Sequence, residues 1–405
     1  MRDLVIGVIA LVLGVWGLSS DWIVFREFTG AIFYSALFAW GLVSTLSGLK
    51  DPADAPAVTE IRKRDVTLDI LRGFAVASMI SGNAAAYALV HPHPLALRFY
   101  DSVAAPFFVM LSGMMVVRTS RSGKHTGSYY LTRGAVIMGA GAFVDMAIWQ
   151  NVPFMTVDIL YLIGLSLPLA YAYQKMSAPV RWTAVVVIFA AAAALRAGLG
   201  YTDFPTEISL LGARVPVADF PTSVLNHWLV DGYFPVFPWL GLSFVGVNLG
   251  LIRWARKKAV TFATRKTFLA GFGALSLGVL WGILWPPEMY VRDIYTEVFY
   301  PMTIAYGFEI SGLLVVLLAF VDATTGLRIY EPFRVLGESA LAIYVLHLAV
   351  IRWVVAALWP SSSFGVYVLV YAGFVAVMTL VAVGLRHLKS NWPDRPMVFK
   401  MLLAG

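Results

Sequence analysis

The chain has 405 residues, 60% of them hydrophobic and 13% charged, with a formal charge of +7 and a mean hydropathy of +0.78. Soluble domains carry about 25% charged residues, so this balance excludes an ordinary soluble protein and points to an integral membrane protein. With no cysteine, disulfides, zinc–thiolate sites and a thiol nucleophile are excluded. None of the five asparagines is followed two positions on by Ser or Thr, so no glycosylation acceptor exists, which favours a bacterial or archaeal cytoplasmic membrane.

A bilayer core about 30 Å thick needs about 20 helical residues and offers the backbone no hydrogen-bond partners. The apolar segments therefore read as an all-α, polytopic membrane helix bundle of about twelve transmembrane helices. In chain order these are 4–20, 28–48, 67–90, 102–117, 130–149, 156–174, 182–199, 232–252, 268–285, 304–321, 339–358 and 365–385. Residues 1–50 form two additional N-terminal spans, 51–66 a cytoplasmic linker, 67–386 the main transmembrane domain and 387–405 a cytoplasmic tail. The first apolar stretch lacks a small-residue cleavage pattern and is kept as a span.

Basic residues test this count, because Lys and Arg are retained on the cytoplasmic side. With the N-terminus inside, the inner segments hold 23 of the 30 Lys and Arg residues, the outer side six, and Arg72 lies within a span. Topology accounts for the positive charge, so no nucleic-acid partner is implied.

Polar residues inside spans are expensive and are functional candidates. At 3.6 residues per turn, positions 69, 72, 83 and 91 fall within an arc of about 100 degrees, so Asp69, Arg72, Asn83 and His91 share one stripe of the third span. Pro92 and Pro94 then break the helix and fix a turn flanked by His91 and Asp101. Further along stand Asp145, Asp158, Asp231, Glu309, His347 and Arg352, a supply of imidazoles and carboxylates suited to general-base work. Asp69, Arg72, Asp145, Asp231, Glu309 and His347 are read as candidate substrate-binding groups. Arg118, Arg121, Lys124 and Arg133 form a basic cluster suited to phosphate, although a positive-inside loop looks the same. Structural alternatives stand beside each: an ion pair for Asp69 with Arg72, and a helix-to-helix hydrogen bond for His347.

The segments "LDILRGFAVASMISGN", His91 ten residues before Asp101, and "APFFVMLSGMMVVRTS" resemble the start of the catalytic domain of heparan-α-glucosaminide N-acetyltransferases and their bacterial relatives. "DGYFPVFPWLGLSFVGVNLG" and "LGESALAIYVLHLAV" are similar to later stretches of the bacterial members. The resemblance covers residues 62 to about 385. It implies acetyl transfer from cytoplasmic acetyl-CoA, across the bundle, to an extracytoplasmic amino sugar or glycan, with no metal. It places the functional histidine at His91 and the functional asparagine at Asn83, whereas the turn "HPHPLALRFYD" lacks the Trp and Gly of lysosomal members.

On that resemblance, acetyl-CoA binds with its phosphates near Arg118, Arg121, Lys124 or Arg133. The His91 imidazole acts as base or acetyl carrier, Asp101 orients the ring, and Asn83 donates to the thioester oxygen as it gains charge. Direct transfer and an acetyl-histidine intermediate both remain open, as do an O-acetyltransferase of envelope polysaccharide or lipid-linked sugar and a homodimer. A proton-coupled transporter with His347, Glu309 and Asp145 as a relay is the alternative of another class.

Overall fold

The computed structural model describes residues 4–10, 41, 45, 64–123, 125–201, 224–255, 259–285 and 296–403. These residues are mostly helical, and an isolated β-bridge pairs Leu89 with Ser362. In chain order the helices are α1 (Val66–Ala88), α2 (Leu95–Asp101), α3 (Ala104–Arg121), α4 (Gly127–Phe143), α5 (Ile159–Tyr173), α6 (Ala178–Leu199) and α7 (Val236–Arg253). There follow α8 (Arg265–Leu284), α9 (Ile304–Thr324), α10 (Glu331–Gly337), α11 (Ala340–Val350), α12 (Phe364–Asn391) and α13 (Met397–Leu402).

Each predicted span from the third onward is a helix. Eight helices among the described residues are long and apolar enough to cross a membrane, fewer than the twelve expected. Two causes are visible. The first two predicted spans lie outside the described residues except for the helical stretch 4–10 and isolated positions, and α1 and α5 fall short of the length or apolarity of a free-standing span. α5 has only 15 residues, about 22 Å of helix, and α1 carries Asp69 and Arg72. Both are largely buried among other helices, so they need not satisfy lipid on their own.

The bundle has a buried centre and an apolar rim. Most side chains of α1, α3 and α7 are buried, whereas α6, α8 and α12 expose Val186, Ile283, Leu369 and Leu380. Exposed aliphatic faces of this kind suit hydrocarbon rather than water. Hydrophobic collapse supplies little attraction between helices in lipid, so close approach through small residues takes over. On α3, a Cβ at Gly113 would stand 2.1 Å from the Ser243 carbonyl oxygen, and on α7 one at Gly246 would stand 2.0 Å from that of Met110. Only glycine permits this α3–α7 contact.

A buried ion network ties three helix ends together. Arg253, fully buried at the end of α7, donates to Asp65 at 2.7 and 3.0 Å and to Asp322 of α9 at 2.8 and 2.9 Å. Thr67 and the Phe262 backbone N–H also donate to Asp322, at 2.5 and 2.7 Å. Asp65 caps α1 by accepting from the Leu68 N–H. Such a group is strongly destabilised if one partner is removed, because a buried charge is then left uncompensated.

Candidate active site

Among the described residues, two cavities lie toward opposite ends of α1 and α3. The first, about 320 Å³, is lined by Arg72 near the start of α1, by residues 108–119 of α3, and by Arg133 of α4. The second, about 600 Å³, is lined by Met79, Asn83 and Tyr87 toward the end of α1 and by residues 101–108 around the start of α3. Phe108, Ile159 and Tyr344 line both. These three residues border both cavities and so stand between them.

The first cavity combines apolar walls with a cationic mouth. Leu111, Met115, Ile163 and Leu167 contribute the walls, and Arg72, Arg118 and Arg133 the charge. Arg72 contacts Asp69 at 3.4 Å and donates to the Gly337 carbonyl, while its Nε has no partner. Asp69 is also paired with Arg64. Arginine at such a mouth favours phosphate, which it can engage with two parallel N–H donors.

The second cavity is acidic and aromatic. Asp101 is 1% exposed, and neither carboxylate oxygen has a partner of good geometry, Ser81 being the hydroxyl beside it. Glu297 joins Asp101 at Gly82, where an added Cβ would stand 3.1 Å from both Asp101 Cβ and Glu297 Oε1. Gly82 therefore clears room for two neighbouring carboxylates. The segment carrying Glu297 is docked by three bonds: Arg98 Nε to the Thr296 carbonyl at 3.0 Å, Thr296 Oγ1 to the Gly82 carbonyl at 3.2 Å, and the Val298 N–H to Ser102 at 2.8 Å.

Other walls of this cavity depend on local breaks in helical geometry. α4 runs into a π-helical turn, Val144–Trp149, and α11 into another, Ile351–Val355. These widened turns aim Asp145, Trp149 and Arg352 at the cavity, a common use of π-bulges. Tyr161 holds Asp145 by a short hydrogen bond, and Trp149 stacks on Tyr87 at 6.2 Å. Asp158 caps α5 through the Ile159 N–H at 2.7 Å and accepts from Tyr344 at 2.6 Å.

Of the residues singled out by sequence, Asn83, Asp101, Asp145, Asp158 and Arg352 line the second cavity, and Arg72, Arg118 and Arg133 the first. His347, fully buried, meets Asn83 at 3.2 Å. The structure does not bring the others to either cavity. His91 is exposed beyond the end of α1 and stacks on His93 at 4.1 Å. His93 is the buried member, bonded to the Leu89 carbonyl at 3.2 Å, and burial holds its pKa below the ordinary histidine value. The shared stripe ends there because α1 stops at Ala88 and Leu89 turns to extended backbone. Asp231 accepts from Asn226 at 3.0 Å, Glu309 packs at Gly278 between α8 and α9, and Arg121 donates to the Trp254 carbonyl. Lys124 lies outside the described residues. Sequence reasoning missed Glu297, Tyr344 and Phe108. Tyr344 alone carried a signal, standing three residues before His347 on the same helix face.

The catalytic model of heparan-alpha-glucosaminide N-acetyltransferase matches residues 64–281, more than half of the chain. A second model, the magnetosome MamI protein family, matches residues 1–54. No curated protein matches the chain. The matched catalytic region carries Asn83, Asp101, Asp145, Asp158 and the arginines of the first cavity. The chain is an integral membrane protein that belongs to the heparan-alpha-glucosaminide N-acetyltransferase catalytic family, with an acetyltransferase-type function.

Proposed function

We propose that the chain moves an acetyl group from acetyl-CoA, bound at the basic end of the bundle, to the amine of a sugar held at the opposite end. The observation that carries this reading is the pair of cavities that share Phe108, Ile159 and Tyr344 as a common wall. The first has what a coenzyme A thioester needs: arginines for its phosphates and an apolar wall for its pantetheine arm. The second has what an amino sugar needs: carboxylates for a cationic nitrogen and aromatic rings for the sugar face. With the cytoplasm at the basic end, as the distribution of Lys and Arg favours, the donor enters from the cell interior.

At the partition the acceptor nitrogen attacks the thioester carbonyl. A C–N bond forms, the C–S bond breaks, and CoA leaves as a thiol after taking up a proton. The Asp101–Glu297 pair takes one proton from the sugar ammonium, leaving the neutral amine that attacks; the proton this nitrogen sheds as the amide forms goes to the departing thiolate, and an N–H of Asn83 stabilises the charge on the carbonyl oxygen. This assigns the base to the carboxylates facing the cavity rather than to His91 at its lip. Residues 67–386 form the catalytic domain in this scheme.

Purified protein in liposomes, given labelled acetyl-CoA on one side and glucosamine on the other, tests the proposal. Alkali-stable labelled product on the glucosamine side is the expected result. An alkali-labile product would make it an ester-forming enzyme. A proton flux without CoA binding would make it a transporter.

A further inference from the structure

The Asn83–His347 contact has a defined polarity. His347 Nδ1 lies 3.1 Å from the Ile343 carbonyl oxygen. A carbonyl can only accept, so Nδ1 carries the proton, and in the neutral ring Nε2 is left as an acceptor. Asn83 Nδ2, 3.2 Å from that Nε2, must then be the donor. This fixes the amide: one N–H is committed to His347, while Oδ1 and the second N–H remain for the cavity that Asn83 lines.

The ring has little freedom to turn. It is fully buried on α11, held by the Ile343 bond one turn earlier and by an edge-to-face contact with Tyr344 at 5.6 Å. Tyr344 is itself part of the partition and is bonded to Asp158. The same helix face thus sets the partition and the orientation of the amide beside it.

We infer that His347, which lines neither cavity, is a positioning residue whose Nε2 keeps the Asn83 amide turned so that an N–H faces the thioester oxygen. Without that acceptor the amide is free to flip and present Oδ1, which repels the oxygen it should stabilise. This rests on the acetyl-transfer reading above and assigns how the donor in that scheme is oriented. Loss of a single donor to a developing oxyanion costs about 100-fold in kcat or more.

The test compares Asn83→Ala, His347→Leu, His347→Gln and the double variant His347→Leu/Asn83→Ala, in full-length protein, by kcat, KM for acetyl-CoA and CoA binding. His347→Leu is expected to lower kcat about 10- to 100-fold, with KM for acetyl-CoA and CoA binding unchanged. His347→Gln, which can still offer an acceptor, restores at least a tenth of wild-type kcat, and the double variant is no slower than Asn83→Ala. Additive losses in the double variant, or a His347→Gln enzyme as slow as Asn83→Ala, would overturn the inference. If His347→Leu does not fold, the His347→Gln comparison decides alone. An Asn83→Ala enzyme with wild-type kcat would instead overturn the scheme on which the inference rests.

Discussion

The Tyr344 hydroxyl donates to the Asp158 carboxylate at 2.6 Å, joining α11 to the N-terminus of α5 across the partition between the two cavities. Both ends of this bond are anchored, since Asp158 also caps α5 and Tyr344 packs beside His347. Removing the tyrosine ring leaves Phe108 and Ile159 as the remaining partition. Tyr344→Ala is expected to let water reach the thioester, so that acetyl-CoA hydrolysis without acceptor rises relative to transfer. Tyr344→Phe keeps the ring but strips the carboxylate of a donor, which costs about 1–3 kcal/mol of stability. Free thiol release with and without acceptor measures the first effect and thermal unfolding in detergent the second. A Tyr344→Ala enzyme with an unaltered ratio would show that the ring is no barrier.

The arginines of the first cavity should act on donor binding alone. A hydrogen bond to a charged group contributes about 1.5–3 kcal/mol, or roughly 10- to 100-fold in affinity. Arg118→Ala and Arg133→Ala are expected to raise KM for acetyl-CoA by up to that factor and to leave KM for the acceptor unchanged. Titration of CoA against each purified variant provides the check, and unchanged CoA affinity in both would remove the phosphates from this mouth.

The carboxylate pair should act on turnover. Asp101→Asn and Glu297→Gln keep the size of each side chain but abolish its basicity, and general-base assistance is worth about 100- to 10,000-fold. Each is expected to lower kcat within that range while CoA binding persists. His91→Ala, at a site exposed to the outside of the cavity, is expected to keep most of the activity. Steady-state kinetics on the three variants distinguishes these roles, and a dead His91→Ala enzyme that still binds CoA would return the chemistry to the imidazole.

The Arg253 network predicts a purely structural defect. Arg253→Ala leaves Asp65 and Asp322 buried without their cation, a change that costs about 3–5 kcal/mol. A large fall in unfolding temperature is expected, with CoA affinity unchanged in whatever fraction remains folded. Unfolding within a degree or two of wild type would show that solvent reaches these carboxylates.

Sequence alone was enough to identify the helical membrane class, because a bilayer forces every backbone group into internal hydrogen bonds and leaves long apolar runs as the visible trace. It also singled out Asn83, Asp101, Asp145 and Arg72, since a polar residue in an apolar helix stands out one position at a time, and it read Arg118 and Arg133 as part of a basic cluster with Arg121 and Lys124. Tertiary structure decided which of these share a space. Glu297 belongs to a short segment of ordinary composition and reaches Asp101 only because Gly82 and three hydrogen bonds draw it in. His347 is 264 positions from Asn83, and no periodicity within one helix encodes a contact made between two. His91 keeps the spacing of a family motif, yet the end of α1 at Ala88 puts its ring outside the cavity. Local sequence fixes helix and polarity through short-range physics, whereas a cavity is made by side chains from distant segments whose meeting depends on how glycine contacts and buried ion pairs set the helices against one another.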